Sequence, residues 1–281
     1  MSRVVRSVVL GVLVVLLVAM TGCKAKPAPK PQPKVAPPAV KTAGSLMVGV
    51  DLSTPPFGGV DQGKRAGLDI DVAAAMAEQL GLTVRYVDVK PSDAATALAQ
   101  GRVDVVLSVP FVGEALPQAT LAGTYLTDSP AFFVATEGTA SIEASMTLDK
   151  LSAPKVGAQK ESEAYWLLQD ELGAESVESY GTLREAIEAL DDGSVQVIAG
   201  DAVVGAYIAR DFPRVKFAGQ LGSGAPLAAA VAMDNTKLSE AVRSALDQLA
   251  ADGVLDFIRN KWVPGLPDLQ VQESAVATAT P

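Results

Sequence analysis

"VGVDLSTPPF", residues 48–57, starts as a strand and stops being one within a few residues. The run 46–50 (LMVGV) is apolar, with no polar alternation before Asp51. That is the pattern of a strand covered on both faces, as in the parallel sheet of an α/β protein. Pro55 and Pro56 then fix φ and offer no N–H, so the ladder must end there. The strand therefore ends by presenting the carboxylate of Asp51 and the ring of Phe57. In open α/β sheets the carboxyl ends of strands are where ligands bind.

Working outward, strands and helices alternate. Asp69 stands where it could cap a helix running to Leu80, with Ala73, Ala77 and Leu80 on one face and Gly81 as its stop. Residues 83–89 alternate as a strand, 92–100 read as a short helix ended by Gly101, and 103–107 form another strand. An apolar strand over 131–136 follows "YLTDSP". Near the end, Leu238, Val242, Ala245 and Leu249 line one face of a long amphipathic helix.

The plan repeats. "ATALAQGRVDVVLS" (95–108) and "IEALDDGSVQVIAG" (187–200) match at a constant offset in Ala97/Ala189, Leu98/Leu190, Gly101/Gly193, Val103/Val195 and Val105/Val197. Val48-Gly49 opens one half and Val156-Gly157 the other. Two similar α/β lobes follow, and 281 residues are enough for both.

Composition narrows the chemistry. There is no histidine, which removes the usual proton shuttle and metal ligand. A single cysteine leaves no internal disulfide and no cysteine-based zinc site. No metal site and no cofactor are expected; "GxGxxG" and "GKS/T" are absent, so nucleotide binding has no support. The net charge of −9 is unevenly placed. Seven basic residues precede the first acid, Asp51, and the remainder carries 16 basic against 32 acidic residues. Such an acidic body repels phosphates, so no nucleic-acid partner is expected.

Residues 1–22 read as a targeting signal: Arg3 and Arg6 lead a 13-residue apolar run, "VVLGVLVVLLVAM", short of the roughly 20 residues a spanning helix needs. Thr21 and Gly22 then lead into Cys23. This resembles a bacterial lipobox with Met20 in the expected leucine position, and it implies an exported protein held on a membrane by lipid on Cys23. Residues 23–43, rich in Pro and Lys, read as an extended stalk with nothing to pack. Residues 266–281 read as a frayed tail.

Five stretches, "GSLMVGVDLSTPPF", "GLDIDVAAAMAEQLG", "ALAQGRVDVVLS", "KVGAQKESEAYWLL" and "LDQLAADGVLDFIRNKW", occur in the order found in the family 3 extracellular solute-binding proteins, the amino-acid receptors of ABC importers. The resemblance spans 44–265. It implies a two-lobe periplasmic-binding-protein fold (type II) joined by two crossing hinge strands, with ligand in the cleft. Lobe 1 would be 44–137 plus 234–265, lobe 2 would be 138–233, and the crossings would fall near 133–137 and 229–233. The implied partners are a small-molecule ligand (an amino acid or amine) and an ABC permease, with the receptor itself a monomer.

The resemblance also implies a site, and departures from it. The expected carboxylate-binding arginine aligns with Leu116, and Val109, Pro110 and Phe111 replace small hydrogen-bonding residues. A guanidinium grips a carboxylate bidentately, and neither a leucine nor a proline can stand in for it. In lobe 2, Glu161-Ser162 occupies the place of a Gly-Thr pair at a helix start. Asp201 falls where the family places the acid that takes an α-ammonium. The candidate ligand-binding residues are therefore Asp51, Phe57, Ser108, Phe111, Glu161, Ser162 and Asp201, an acidic and aromatic set suited to a cation. Asp51 also reads as a turn cap, Phe57 as a core ring, and Asp201 as a helix cap.

No catalytic residue is expected and the reading is of a binding protein, not an enzyme. Relatives of this fold that act as cyclohexadienyl dehydratases need a retained carboxylate grip and a poised acid. A degenerate receptor serving signalling or scaffolding is the other alternative, motivated by the lost clamp.

Overall fold

A computed structural model describes residues 32–110, 116–137, 144–151 and 155–271. The elements, in chain order, are β1 (Ser45–Val50), β2 (Gly59–Asp61), β3 (Lys64–Ala66), α1 (Leu68–Gln79), β4 (Thr83–Asp88), α2 (Ala94–Ala99), β5 (Val105–Pro110), β6 (Ala119–Asp128) and β7 (Pro130–Ala135). They continue with β8 (Val156–Gln159), α3 (Glu163–Leu172), β9 (Val177–Tyr180), α4 (Leu183–Asp192), β10 (Val197–Asp201), α5 (Ala202–Ala209), β11 (Val215–Gln220), β12 (Ala225–Ala232), α6 (Thr236–Ala251) and α7 (Val254–Trp262).

Two five-stranded sheets carry the fold, in the orders β4-β1-β5-β12-β6 and β11-β7-β10-β8-β9. In the first, β1 is parallel to β4 and β5 while β12 runs antiparallel to β5 and β6. In the second, β8 is parallel to β9 and β10 while β7 runs antiparallel to β10 and β11. The two sheets share one plan, and the repeated sequence unit maps onto α2–β5 and α4–β10. β1 sits inside its sheet with Leu46, Val48 and Val50 buried, as its unbroken apolar run requires. The buried face of α6 is formed by Leu238, Val242, Ala245 and Leu249, at the expected helical spacing.

The chain passes between sheets twice, through Ser129 between β6 and β7 and through residues 221–224 between β11 and β12. The passages lie side by side: Ala225 is in register with Asp128, Gln220 with Ala131, and the Leu221 N–H donates to the Pro130 carbonyl at 2.9 Å. These are not the crossings expected near 133–137 and 229–233. Phe132, Phe133 and Ala228–Val231 are fully buried within the central strands β7 and β12. The positions implied by the resemblance fall on apolar strands interior to a sheet, whereas the actual crossings, "TDSP" and "QLGSGA", consist mostly of polar and small residues. In consequence β7 (Pro130–Ala135) belongs to the second sheet and β12 (Ala225–Ala232) to the first, unlike the expected lobe limits.

Both ends of the body are also more ordered than the sequence reading expects. Residues 1–31, including the signal and Cys23, lie outside the described residues. From Gln32 on, however, the Pro-rich segment lies against the first lobe. Val35, Ala39 and Val40 are buried in its core, the Lys34 N–H donates to the Leu80 carbonyl, and the Lys41 N–H donates to Asp104 at 2.8 Å. Proline fixes φ but does not prevent packing, and Val35 between the prolines with Ala39 and Val40 just after them supplies a buried face. At the other end, Leu266 and Leu269 are buried, and Gln270 bonds Gln220 and Gly224 beside the second passage. Residues 272–281 of the expected tail lie outside the described residues.

Candidate functional site

At the carboxyl edge of the first sheet, Asp51 ends β1 in a tight turn. Its carboxylate accepts from the Ser53 N–H (2.8 Å), the Ser53 hydroxyl (2.6 Å) and the Thr54 hydroxyl (3.1 Å), with Lys90 Nζ at 3.5 Å. Partial burial pushes its pKa up, but the bonds from Ser53 and Thr54 and the charge of Lys90 prevail and hold it below the usual value. Asp51 is thus a turn cap with its charge already answered. Phe57 is only 9% exposed and belongs to the core with Leu68 and Ile70; its carbonyl accepts the Asp69 N–H.

Ser108, on β5, adopts a left-handed φ of +54°. That unusual backbone turns it into a buried network that sequence reasoning missed. Its hydroxyl donates to Asp69 Oδ2 at 2.7 Å, its N–H donates to the Tyr125 hydroxyl at 2.7 Å, and Tyr125 donates to Asp69 Oδ1 at 2.7 Å. Asp69 was expected as a helix cap. It lies instead within the first turn of α1 after Gly67, with no capping bond, because its carboxylate is committed to β5 and β6. Burial raises its pKa to about 6, against the two hydroxyl donors, and burial together with Asp69's charge pushes Tyr125 well above its ordinary value. The signal in the sequence was "GLDID", in which Asp69 falls among the apolar residues that α1 buries.

Of the expected carboxylate-binding loop, Phe111 falls outside the described residues. Leu116 is half-buried against the cluster that contains Val89, Ala94 and Ala97, and its carbonyl accepts the Ala119 N–H. The expected strand end at Leu107 is overrun: β5 continues through Pro110, which faces Leu227 of β12. The position that the resemblance aligns with a carboxylate-binding arginine is thus packed among aliphatic side chains.

In the second lobe, Ser162 caps α3 by accepting the Tyr165 N–H at 3.1 Å. Glu161, at φ +63°, is exposed and lies 4.0 Å from the equally exposed Lys160. The pair Glu161-Ser162 therefore offers an anion one hydroxyl and one repelling carboxylate.

Asp201 ends β10 and caps α5, accepting the Val204 N–H at 2.7 Å. The structure joins it to a residue that sequence reasoning passed over, Asp128, the last residue of β6: Asp128 accepts the Val203 N–H and Asp201 the Val204 N–H, consecutive donors at the head of α5. Asp128 is 8% exposed, and its Oδ1 accepts from the Ser129 N–H (2.8 Å) and the Val203 N–H (3.1 Å). The Ala202 N–H donates to the Ser129 carbonyl at 2.9 Å. All three leading N–H groups of α5 are thus taken by the first passage and by Asp201, leaving none for an anionic ligand. Asp201 meets solvent along its open side, yet protein surrounds its carboxyl closely enough for desolvation to raise its pKa, against the bond from Asp128. Burial, and then the charge of Asp201, push Asp128 well above the ordinary carboxyl range.

Among the described residues no group of three or more His, Cys, Asp or Glu is arranged to hold a metal ion, and no helix is long and apolar enough to cross a membrane.

Comparison with known proteins agrees with this geometry. The putative ABC transporter arginine-binding protein 2 of Escherichia coli (strain K12) is 24% identical over 78% of this chain and 91% of its own length. The L-cystine-binding protein TcyJ of the same organism is 25% identical over 92% of this chain and 95% of its own. Among solved structures, an ancestral arginine-binding protein bound to arginine is 30% identical, with a TM-score of 0.55 over 78% of this chain and 98% of that one. These relatives are named as binding proteins rather than enzymes. With two sheets of one plan, two adjacent passages, and residues 46–265 matching the family described as bacterial extracellular solute-binding proteins, family 3, the chain belongs to that family.

Proposed function

We propose that the protein is the extracytoplasmic receptor of an ABC importer, held on the membrane by lipid at Cys23. It closes its lobes on an amino acid or related small molecule through that solute's amine. The observation that carries this reading is the contrast between the two ends of the expected site. Asp201 stands at the carboxyl end of β10, open to solvent and, among the described residues, without a basic residue bonded to it, whereas Leu116 fills the expected carboxylate end with packing. A site built this way attracts a cation and gives a free carboxylate little to hold. The arginine- and cystine-binding relatives support an amino-acid-like ligand that carries an ammonium group.

The test is thermal shift of a chain that retains residues 32–271, against two panels. One contains the common amino acids with L-cystine; the other contains polyamines, quaternary amines and amino-acid amides or esters. A ligand at 100 times its dissociation constant adds about 2.7 kcal/mol, a rise of roughly 5–10 °C at this size. Hits confined to amine-bearing molecules without a free carboxylate are the expected result. Submicromolar binding of a neutral zwitterion such as glycine or alanine would defeat the cation preference.

A second reading has its own observation. Pro110 and Leu116 remove the carboxylate grip altogether, which suits a receptor-like domain that no longer traps solute and serves signalling or scaffolding. Silence across both panels favours it.

A further inference from the structure

The described aspartates that enter ion pairs are answered by a base: Asp51 by Lys90, Asp71 by Lys261, Asp191 by Arg214, Asp211 by Arg184, and Asp256 and Asp268 by Arg259. Asp128 and Asp201 differ. They meet each other, and the groups acting on them from β6, β7, β10 and α5 are one another's carboxyls and the N–H groups of Ser129, Val203 and Val204, with no cationic side chain in the set. One oxygen of each acid is spent on those N–H groups, Asp128 Oδ1 twice and Asp201 Oδ1 once. Consecutive N–H groups at the head of α5 thus bring the two carboxyls together.

Two carboxyls brought together in this way favour sharing one proton, since neighbouring carboxylates repel. Their surroundings are unequal. Asp128 is buried under the first passage, while Asp201 faces solvent at the head of α5. Beside them Ser129, 5% exposed, has a hydroxyl with no hydrogen-bond partner. The arrangement is a polar cluster with a deficit of positive charge, closed behind by Asp128 and open in front at Asp201.

We propose that Asp128 is a positioning residue that makes ligand capture proton-linked: the empty site holds one proton between Asp128 and Asp201, and a cationic head group engaging Asp201 displaces that proton to solvent. This rests on Asp201 being the ammonium-facing acid of the cleft. The balance is simple. One proton leaves the carboxyl pair, one ligand cation takes up the charge, and no bond to carbon or nitrogen is made or broken. The solute is held by two carboxylates where a lone Asp201 would offer one, which selects for cations. Binding then weakens as the pH falls, because the proton competes for the same place.

The test has two arms on the full-length protein, with Asp128→Asn as the key variant. Asparagine retains the shape, accepts the Ser129 and Val203 N–H groups, and donates permanently to Asp201, yet it does not titrate. In the first arm, carboxyl-carbon NMR follows both aspartates without ligand. The expected result is a linked titration above the ordinary aspartate range in the wild type, with Asp201 returning to lower pH in Asp128→Asn. Independent titration of both in the ordinary range overturns the proposal. In the second arm, calorimetry with L-arginine methyl ester, an amine without a free carboxylate, as the probe is run in buffers of differing ionisation enthalpy. The expected slope corresponds to proton release in the wild type and is flat in Asp128→Asn, whose affinity also loses its pH dependence. Binding of the ester without proton release overturns the inference and leaves the reading of the cleft standing. Absence of binding by the ester overturns that reading, and the exchange with it.

Discussion

Asp69 and Asp51 are two acids close in sequence whose environments send them in opposite directions. Asp51 is held by three donors and Lys90 and stays below the usual carboxyl value; Asp69 is fully enclosed and rises to about 6. A folded-state pKa above the unfolded one means that the native state holds the proton more tightly. The contribution of Asp69 is therefore fully present below the unfolded value of ~3.9 and is lost as the pH rises through about 6. The difference amounts to roughly 3 kcal/mol across that window. In Asp69→Asn the amide oxygen can still accept from Tyr125, and the Ser108 hydroxyl can rotate to accept from the amide nitrogen. Urea unfolding at pH 4 and pH 7 should show wild type losing stability relative to the variant as the pH rises. A constant difference between the two proteins would mean that Asp69 is ionised throughout.

Among the elements, the arm of residues 32–43 departs most from expectation, because it is a packed part of the first lobe. Besides Val35, Ala39 and Val40, it is tied by Asn235 Nδ2 donating to the Ala39 carbonyl at 2.9 Å and by the Lys41 side chain donating to the Gly101 carbonyl. Val40 is completely buried. Val40→Ala should cost about 1.5–3 kcal/mol, read as a drop of several degrees in Tm. A loose spacer would show no change. The approach of Gln32 to Gly81 makes the same point: a Cβ on Gly81 would lie 2.5 Å from the Gln32 carbonyl, and its φ of +69° already disfavours a side chain.

For the molecule as a whole, two passages and the segment 266–271 meet at one place. The Gly224 N–H donates to the Gln270 carbonyl at 2.9 Å, Gln220 Nε2 donates to the same carbonyl at 3.1 Å, and the Gln270 N–H donates to Gln220 Oε1 at 2.6 Å. The side-chain amide of Gln220 imitates a strand neighbour and pins the C-terminal segment across the second passage. A Cβ at Gly224 would lie 2.6 Å from Thr127 Cγ2 and 2.9 Å from the Gln270 carbonyl. Gly224→Ala should therefore detach this segment and accelerate hydrogen exchange at Leu221 and Gly224, with β1 and β8 unaffected. Unchanged exchange at both positions would show that the segment does not restrain the passages. Closure of two lobes about a few such residues is the general mode of motion for hinged binding folds.

Local pattern was enough for many of the elements and for their class, although β6, β9 and β11 went unread. The unbroken apolar run of β1, the helix–Gly–strand unit repeated in α2–β5 and α4–β10, and the spaced leucines of α6 all report burial, and burial follows directly from periodicity. The resemblance misplaced the crossings, and local pattern could not correct it, because an apolar strand inside a sheet and an apolar strand between sheets read alike and only pairing partners distinguish them. The polar site was the least legible. Asp201 could be found from its position at a strand end, but Asp128, 73 residues earlier in the chain by its number, acquires meaning only when β6 is laid beside the head of α5. The upward shift of its pKa depends on enclosure and on a second carboxyl, and a linear sequence contains neither. Folding supplies both, by excluding water around one acid and placing the other beside it at the head of α5.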